Sequence, residues 1–161
     1  LYDASILEGI KLHREIDLFT DSHPISRDLR AMLFDQYHHR SRVILDLFYD
    51  HFLAANFRDF QSVSLPDYVI KVSDILQKQL HLMPKSAKHY FMAMRKYGWL
   101  EGYASIDGIS LVLNQMSKRK DMDPMGPSVK VLEKHYPHFK AQTHAFLHEA
   151  IAHFLEDKIR V

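Results

Sequence analysis

The sequence predicts an all-α fold, a single-domain bundle of about seven helices over residues 1–161. Three observations lead there. Apolar residues recur at helical spacing along almost the whole chain. Glycine is scarce, at five residues, and no alternating run followed by tight-turn chemistry suggests a strand pair. Helix start and stop residues divide the chain at intervals that suit helices of ordinary length. There is no internal repeat and no low-complexity segment.

The elements follow in order. Ile6, Leu7, Ile10, Leu12 and Ile16 give a first helix. Pro24, after Asp21 and Ser22, starts a second through "SRDLRAMLFDQYHH". "SRVILDLFYDHFLAANF" is a third, apolar enough to be buried on much of its circumference. In "SLPDYVIKVSDILQKQLHLM", Ser64 is the expected N-cap and Pro66 sits in the first turn. "KSAKHYFMAMRKYGWL" stops near Gly98. "SIDGISLVLNQMSKRK" starts at Ser105 or Asp107. "DMDPMGPS" is the clearest loop. The tail, "HFKAQTHAFLHEAIAHFLEDKIRV", reads as one long helix with its start set by Pro137.

Composition narrows the function. Charged residues are 25% and the formal net charge is +1, so there is no disorder signal and no basic excess of the nucleic-acid-binding kind. With no cysteine, disulfide scaffolds and thiolate metal sites are excluded, in keeping with a reducing compartment and an expected cytoplasmic location. No apolar run approaches the ~20 residues of a membrane span, and no signal-peptide pattern opens the chain. The first residues, "LYDASILEGIKLHREID", lack a Met and enter a helix almost at once. The expectation is therefore the remainder of a longer protein. Nothing in the residues specifies an oligomeric state.

Two stretches carry chemistry. His13 and Asp17 in "HREID" are four apart and share a helix face. They can reach one cation, or the Asp can orient the imidazole, or they form an ordinary exposed pair. Asp46 and Asp50 in "DLFYDHF" are also four apart, and His51 lies about 100° further round the helix than Asp50. Their flanks are so apolar that the carboxylates are expected to be buried, and buried charges are paired or bind metals. Arg14, Arg40 and Arg42 are the candidate ion-pair partners in the bland alternative. Imidazole and carboxylate donors without sulfur suit Mn²⁺, Mg²⁺, Fe²⁺ or Zn²⁺, the ions that serve hydrolysis.

Other histidines carry less. "HEAIAH" is near a zinc-protease motif but has one residue too many. His148 and His153 are five apart, a turn of about 500°, which takes the second off the face. These, with His144, are read as helix-face residues. His38 and His39 fall at a helix junction. Lys118, Arg119 and Lys120 close a helix, where cations favour the dipole; the same cluster would receive a phosphate or an acidic partner.

Taken together, "EGIKLHREIDLFTD", "SRVILDLFYDHFLAANF" and "WLEGYASIDGISLVLNQMSKR", in that order, resemble the acyl carrier protein phosphodiesterase family. The resemblance runs from about Leu7 to about Arg119 and rests on the first two segments jointly. That family is regarded as a divergent branch of the HD-domain metal-dependent phosphohydrolases, which implies an HD-domain-like helical fold. It implies removal of the 4′-phosphopantetheine arm from holo acyl carrier protein, leaving the apo protein, in service of fatty acid biosynthesis. It implies a divalent cofactor, manganese in the main, with magnesium or iron as substitutes. Carried onto this chain, the motifs mark His13, Asp50 and His51 as metal ligands. Asp17 and Asp46 become ligands, bases or orienting groups. Outside the family motifs, the imidazole of His38 or His39 is the candidate to protonate the leaving serine oxygen. A basic rim of Arg14, Arg40, Arg42, Lys118, Arg119 and Lys120 would steer the acidic carrier protein. The family pattern also includes an Asn-x-Leu-Ala-His stretch and an Asp in an Ala-Asp-Phe-like context, and this chain has neither. Three competing readings stand beside this one. They are a phosphohydrolase of nucleotides or small phosphodiesters, a carrier-protein-binding module without chemistry, and a helical domain whose Asp and His residues pair internally.

Overall fold

A computed structural model describes residues 4–117 and 124–156. Among them there is no strand, and nine α-helical segments follow one another. These are α1 (Ala4–Ser22), α2 (Pro24–Tyr37), α3 (Ser41–Ala55), α4 (Leu65–Lys78), α5 (Lys85–Tyr97), α6 (Trp99–Gly102), α7 (Ile106–Ser117), α8 (Val129–Lys134) and α9 (Tyr136–Ile151). Seven of them answer the seven expected from the sequence. The two extra, α6 and α8, are four and six residues long, too short to show a period of 3.6. The tail departs in one respect: α9 ends at Ile151 and Ala152–Glu156 widens into a π-helical turn. In the "DMDPMGPS" loop, Gly126–Ser128 forms a 3₁₀ turn.

The helix ends follow local chemistry. The Ser64 hydroxyl caps α4, accepting from the Asp67 amide at 3.3 Å. The Ser105 hydroxyl accepts from the Gly108 amide at 3.0 Å, which makes Ser105 rather than Asp107 the cap of α7. His23 takes the cap position of α2 in extended conformation, with Pro24 following in the first turn. Gly98 ends α5 at φ 57° and ψ 43°, a left-handed conformation that glycine adopts without steric cost.

The chain divides into two compact units, Leu1–Leu45 with Lys134–Val161, and Asp46–Glu133. In the first, Leu29, Leu33, Tyr37, Ile44, Leu45, Phe139 and Phe146 are buried. Phe19 of α1 lies against His23, Phe146 and Phe154, and stacks on His153 at 4.8 Å. Yet α1 has no buried residue at all. The apolar stripe that predicts it is largely open, with Leu7 at 53% and Ile16 at 40% exposure.

In the second unit, Phe48, Phe52, Phe57, Phe91, Ile109, Leu113, Met125 and Leu132 are buried. Here α6 contacts α4, α5 and α7. The bend from α6 into α7 is tight. A Cβ on Gly108 would meet the Gly102 carbonyl oxygen at 1.9 Å, so no other residue fits without backbone movement. That bend carries Tyr103.

Candidate functional site

The site is built on α3. Leu47, Phe48, Tyr49, His51 and Phe52 turn inward, as the apolar sequence predicts. Arg42, Asp46 and Asp50, each four residues from the next, turn outward as one polar stripe. The expectation that both carboxylates are buried is therefore corrected. The apolar residues of α3 cover about two thirds of its circumference, and the i, i+4 row of acids occupies what is left. Asp50 nevertheless has enough protein around it to matter. Loss of hydration, and then the neighbouring Asp46 carboxylate, push its carboxyl up to about 6.

His51 is 2% exposed and its ring packs edge-on to Phe52 at 5.0 Å. Its Nδ1 lies 2.9 Å from the Tyr103 carbonyl. A carbonyl only accepts, so Nδ1 donates, and the tautomer that results places the lone pair on Nε2. Burial lowers the pKa of the ring, and the hydrogen bond to Tyr103 opposes this in part. The imidazole is thus neutral and oriented.

Tyr103 contributes a second group. Its hydroxyl lies close enough to that of Tyr90, and to Asp50, for both to act on it. Burial, then Tyr90 and Asp50, push the phenol up to about 12. Tyr103 is a neutral hydroxyl beside a carboxyl. Neither tyrosine is a candidate from the sequence. The one available signal was that Tyr103 lies in "GWLEGYASIDG", where three glycines mark a backbone under close constraint.

Asp46, Asp50 and His51 all belong to the second unit, the two carboxylates on the outer face of α3 and His51 on its buried face. His13 and Asp17 belong to the first. They pair with each other at 3.5 Å on α1, with side chains 75% and 63% exposed. His38 and His39 are exposed in a 3₁₀ turn between α2 and α3, where His38 has φ 46°, a strained value for a residue with a Cβ. Of the expected basic rim, Arg14 is exposed and Arg42 bonds Asp21 at 3.3 Å. Arg40 is buried at 9% exposure, because the turn after His38 directs it inward. Lys118, Arg119 and Lys120 lie outside the described residues. The tail histidines belong to the first unit, where His148 and His153 are exposed, His153 against Phe19. Sequence reasoning also missed His23, which is buried with Nε2 at 3.1 Å from the Glu149 carboxylate.

The donors of α3 fit a divalent cation in kind. Two carboxylates one helical turn apart repel each other, and a cation relieves that repulsion. A neutral imidazole held through Nδ1 by a backbone carbonyl is how ligating histidines are commonly oriented. Among the described residues, however, no group of three or more His, Cys, Asp or Glu side chains is already arranged to hold a metal. Nor is any helix among them long and apolar enough to cross a membrane.

Comparison with known proteins bears on the same segments. A family model described as Acyl carrier protein phosphodiesterase matches residues 1–150. Proteins named acyl carrier protein phosphodiesterase are similar across most of the chain. The one from Photorhabdus laumondii is 28% identical over 142 residues, 87% of this chain and 72% of that protein. The one from Klebsiella pneumoniae strain 342 is 31% identical over 147 residues, 88% of this chain and 74% of that protein. The one from Yersinia pestis is 30% identical over 140 residues, 84% and 71% of the two chains. No solved structure matches, so the expected likeness to HD domains has no structural neighbour behind it. On the extent of the family match and these identities, the chain belongs to the acyl carrier protein phosphodiesterase family.

Proposed function

We propose that this protein hydrolyses the phosphodiester that joins 4′-phosphopantetheine to a serine of acyl carrier protein, in a reaction that depends on a divalent cation. The observation that carries the reading is the carboxylate pair Asp46 and Asp50, one helical turn apart, with Asp50 pushed up to about 6 and followed in sequence by His51, which the Tyr103 carbonyl holds at 2.9 Å. Family membership supports the substrate, since the relatives are named for it.

Asp50 and His51 would hold the ion, with manganese the first to test. Such an ion supplies a lowered water pKa and neutralises charge on a phosphoryl oxygen. Asp46, one turn before Asp50, accepts the proton of the attacking water. Water oxygen bonds to phosphorus as the bond from phosphorus to the serine oxygen breaks. The proton ends on that oxygen, so the products are apo carrier protein and 4′-phosphopantetheine. His13 and Asp17 enter this scheme through the family resemblance alone, and His38 as an imidazole able to protonate the leaving serine oxygen; substitution tests each.

The test is conversion of holo to apo carrier protein, read by mass, with manganese and with chelator. Conversion that requires metal and disappears in Asp50→Ala supports the reading. A folded protein that converts none under any metal overturns it. Turnover of nucleotides or small phosphodiesters in its place would mark a related hydrolase with another substrate.

A further inference from the structure

A groove of the second unit opens beside α5 and α6, and its walls are mostly apolar. Leu76, Met83, Tyr90, Phe91, Met94 and Trp99 line it. Tyr90 is 55% exposed and packs edge-on to Trp99 at 5.3 Å. Leaving an aromatic wall open to water costs hydrophobic stabilisation that burial would recover.

One residue pair relates the groove to the residues around Asp50 and His51. Tyr90 lines the groove, and its hydroxyl lies near that of Tyr103. Tyr103 in turn lies beside Asp50 and holds His51 through its carbonyl. A ligand that places a phosphate at the acids therefore has the tyrosine pair and then the groove next to it.

We propose that this groove binds the pantetheine portion of the substrate arm, with Tyr90 and Trp99 as its specificity-determining walls. The inference rests on the hydrolase reading above. The chemistry is complementary. Next to its phosphate the arm carries a gem-dimethyl carbon, which suits an aromatic wall, and then two amides. Ser86 and His89, also in the lining, offer those amides polar partners. A site that grips the arm itself discriminates holo from apo carrier protein, which have nearly the same protein surface.

Trp99 is the chain's single tryptophan, so its fluorescence reports on the groove without labelling. The experiment titrates the full chain with pantetheine, which has no phosphate, in chelator. The expected result is a saturable change in Trp99 emission. Ala87→Phe fills the groove from an exposed position and should weaken that binding by about tenfold, on the order of 1.4 kcal/mol. The same variant should raise KM for holo carrier protein more than it lowers kcat. Tyr90→Phe, which keeps the ring, should bind pantetheine nearly as the parent does, whereas Tyr90→Ala should not. A silent Trp99 with normal conversion of holo carrier protein overturns the groove and leaves the hydrolase standing. A response to apo carrier protein but not to pantetheine overturns it too, and makes the groove a protein contact. A response to pantetheine without any conversion keeps the groove and removes the hydrolase.

Discussion

His13 and Asp17 on α1, and Asp46, Asp50 and His51 on α3, are the same residue types, each set built on a pair four residues apart, in two different settings. The α1 pair is set in a helix with no buried residue, and its two side chains bond each other in water. On α3 the histidine is buried, its Nδ1 is fixed by a backbone carbonyl, and the carboxyl beside it is pushed up to about 6. Spacing of four puts two groups on one helix face in both cases. What separates them is the protein packed around the face, since removal of water is what shifts a titration and fixes a ring.

The sharpest way to break that contrast is activity. Asp50→Ala should lower conversion of holo carrier protein by about a thousandfold, the scale of losing one electrostatic contact to a transition state. Asp46→Ala should lose nearly as much, because it leaves the attacking water without its base. Parent-like turnover in both would reduce the α3 cluster to a structural feature.

Stability comes next. His51→Ala removes a buried ring and frees the Tyr103 carbonyl, and should cost about 2–4 kcal/mol in chemical denaturation. Gly108→Ala should cost about 1–3 kcal/mol, because the new methyl has to displace the Gly102 carbonyl. Since that bend carries Tyr103, Gly108→Ala should also lower activity, and Ser110→Ala nearby on α7 should not. Equal effects of the two would detach the bend from the site.

Stability should also depend on pH with two opposed limbs. The Asp50 pKa is raised from 3.8 to about 6, so its contribution is present at low pH and is lost as pH rises through about 6. The His51 pKa is lowered from 6.5, so its contribution is present above 6.5 and is lost as pH falls. Metal-free protein should therefore lose stability through Asp50 between about pH 4 and 6, and gain it through His51 as pH rises towards 6.5. Asp50→Asn should remove the fall between about pH 4 and 6 and melt higher than the parent at pH 8. Because Asp50 reaches solvent, the effect will be smaller than the pKa shift alone suggests. Manganese should reverse the order by raising the melting temperature of the parent at pH 8 but not that of Asp50→Asn. A parent with a flat profile would show that water screens Asp50 as it does the α1 pair.

Much of this was legible in the residues, for reasons that differ by element. The seven longer helices announce themselves because 12 to 19 residues show several turns of period and carry caps such as Ser64 and Gly98. The short α6 and α8 have no room for a period. On α3 the sequence marked Asp46, Asp50 and His51 but misjudged the burial of the two carboxylates. Hydrophobic flanks say how much of a helix is covered, whereas the i, i+4 row says where the opening falls. Tyr103 and Tyr90 escaped because their role depends on a bend that brings residue 103 to residue 51, a contact 52 positions apart that no local pattern encodes.

The smallest expected effect closes the comparison on the α1 side. His13→Ala and Asp17→Ala should each change stability by no more than about 0.5 kcal/mol, the value of an exposed helical pair. Activity then decides what the pair is for. The family motif "HREID" predicts that both variants lose turnover while remaining as stable as the parent. That pattern would mark residues kept for chemistry, since a pair worth so little to the fold has no other cost to explain its loss. If both variants turn over like the parent, His13 and Asp17 are surface residues, and the function of this chain rests on α3 and the tyrosines beside it.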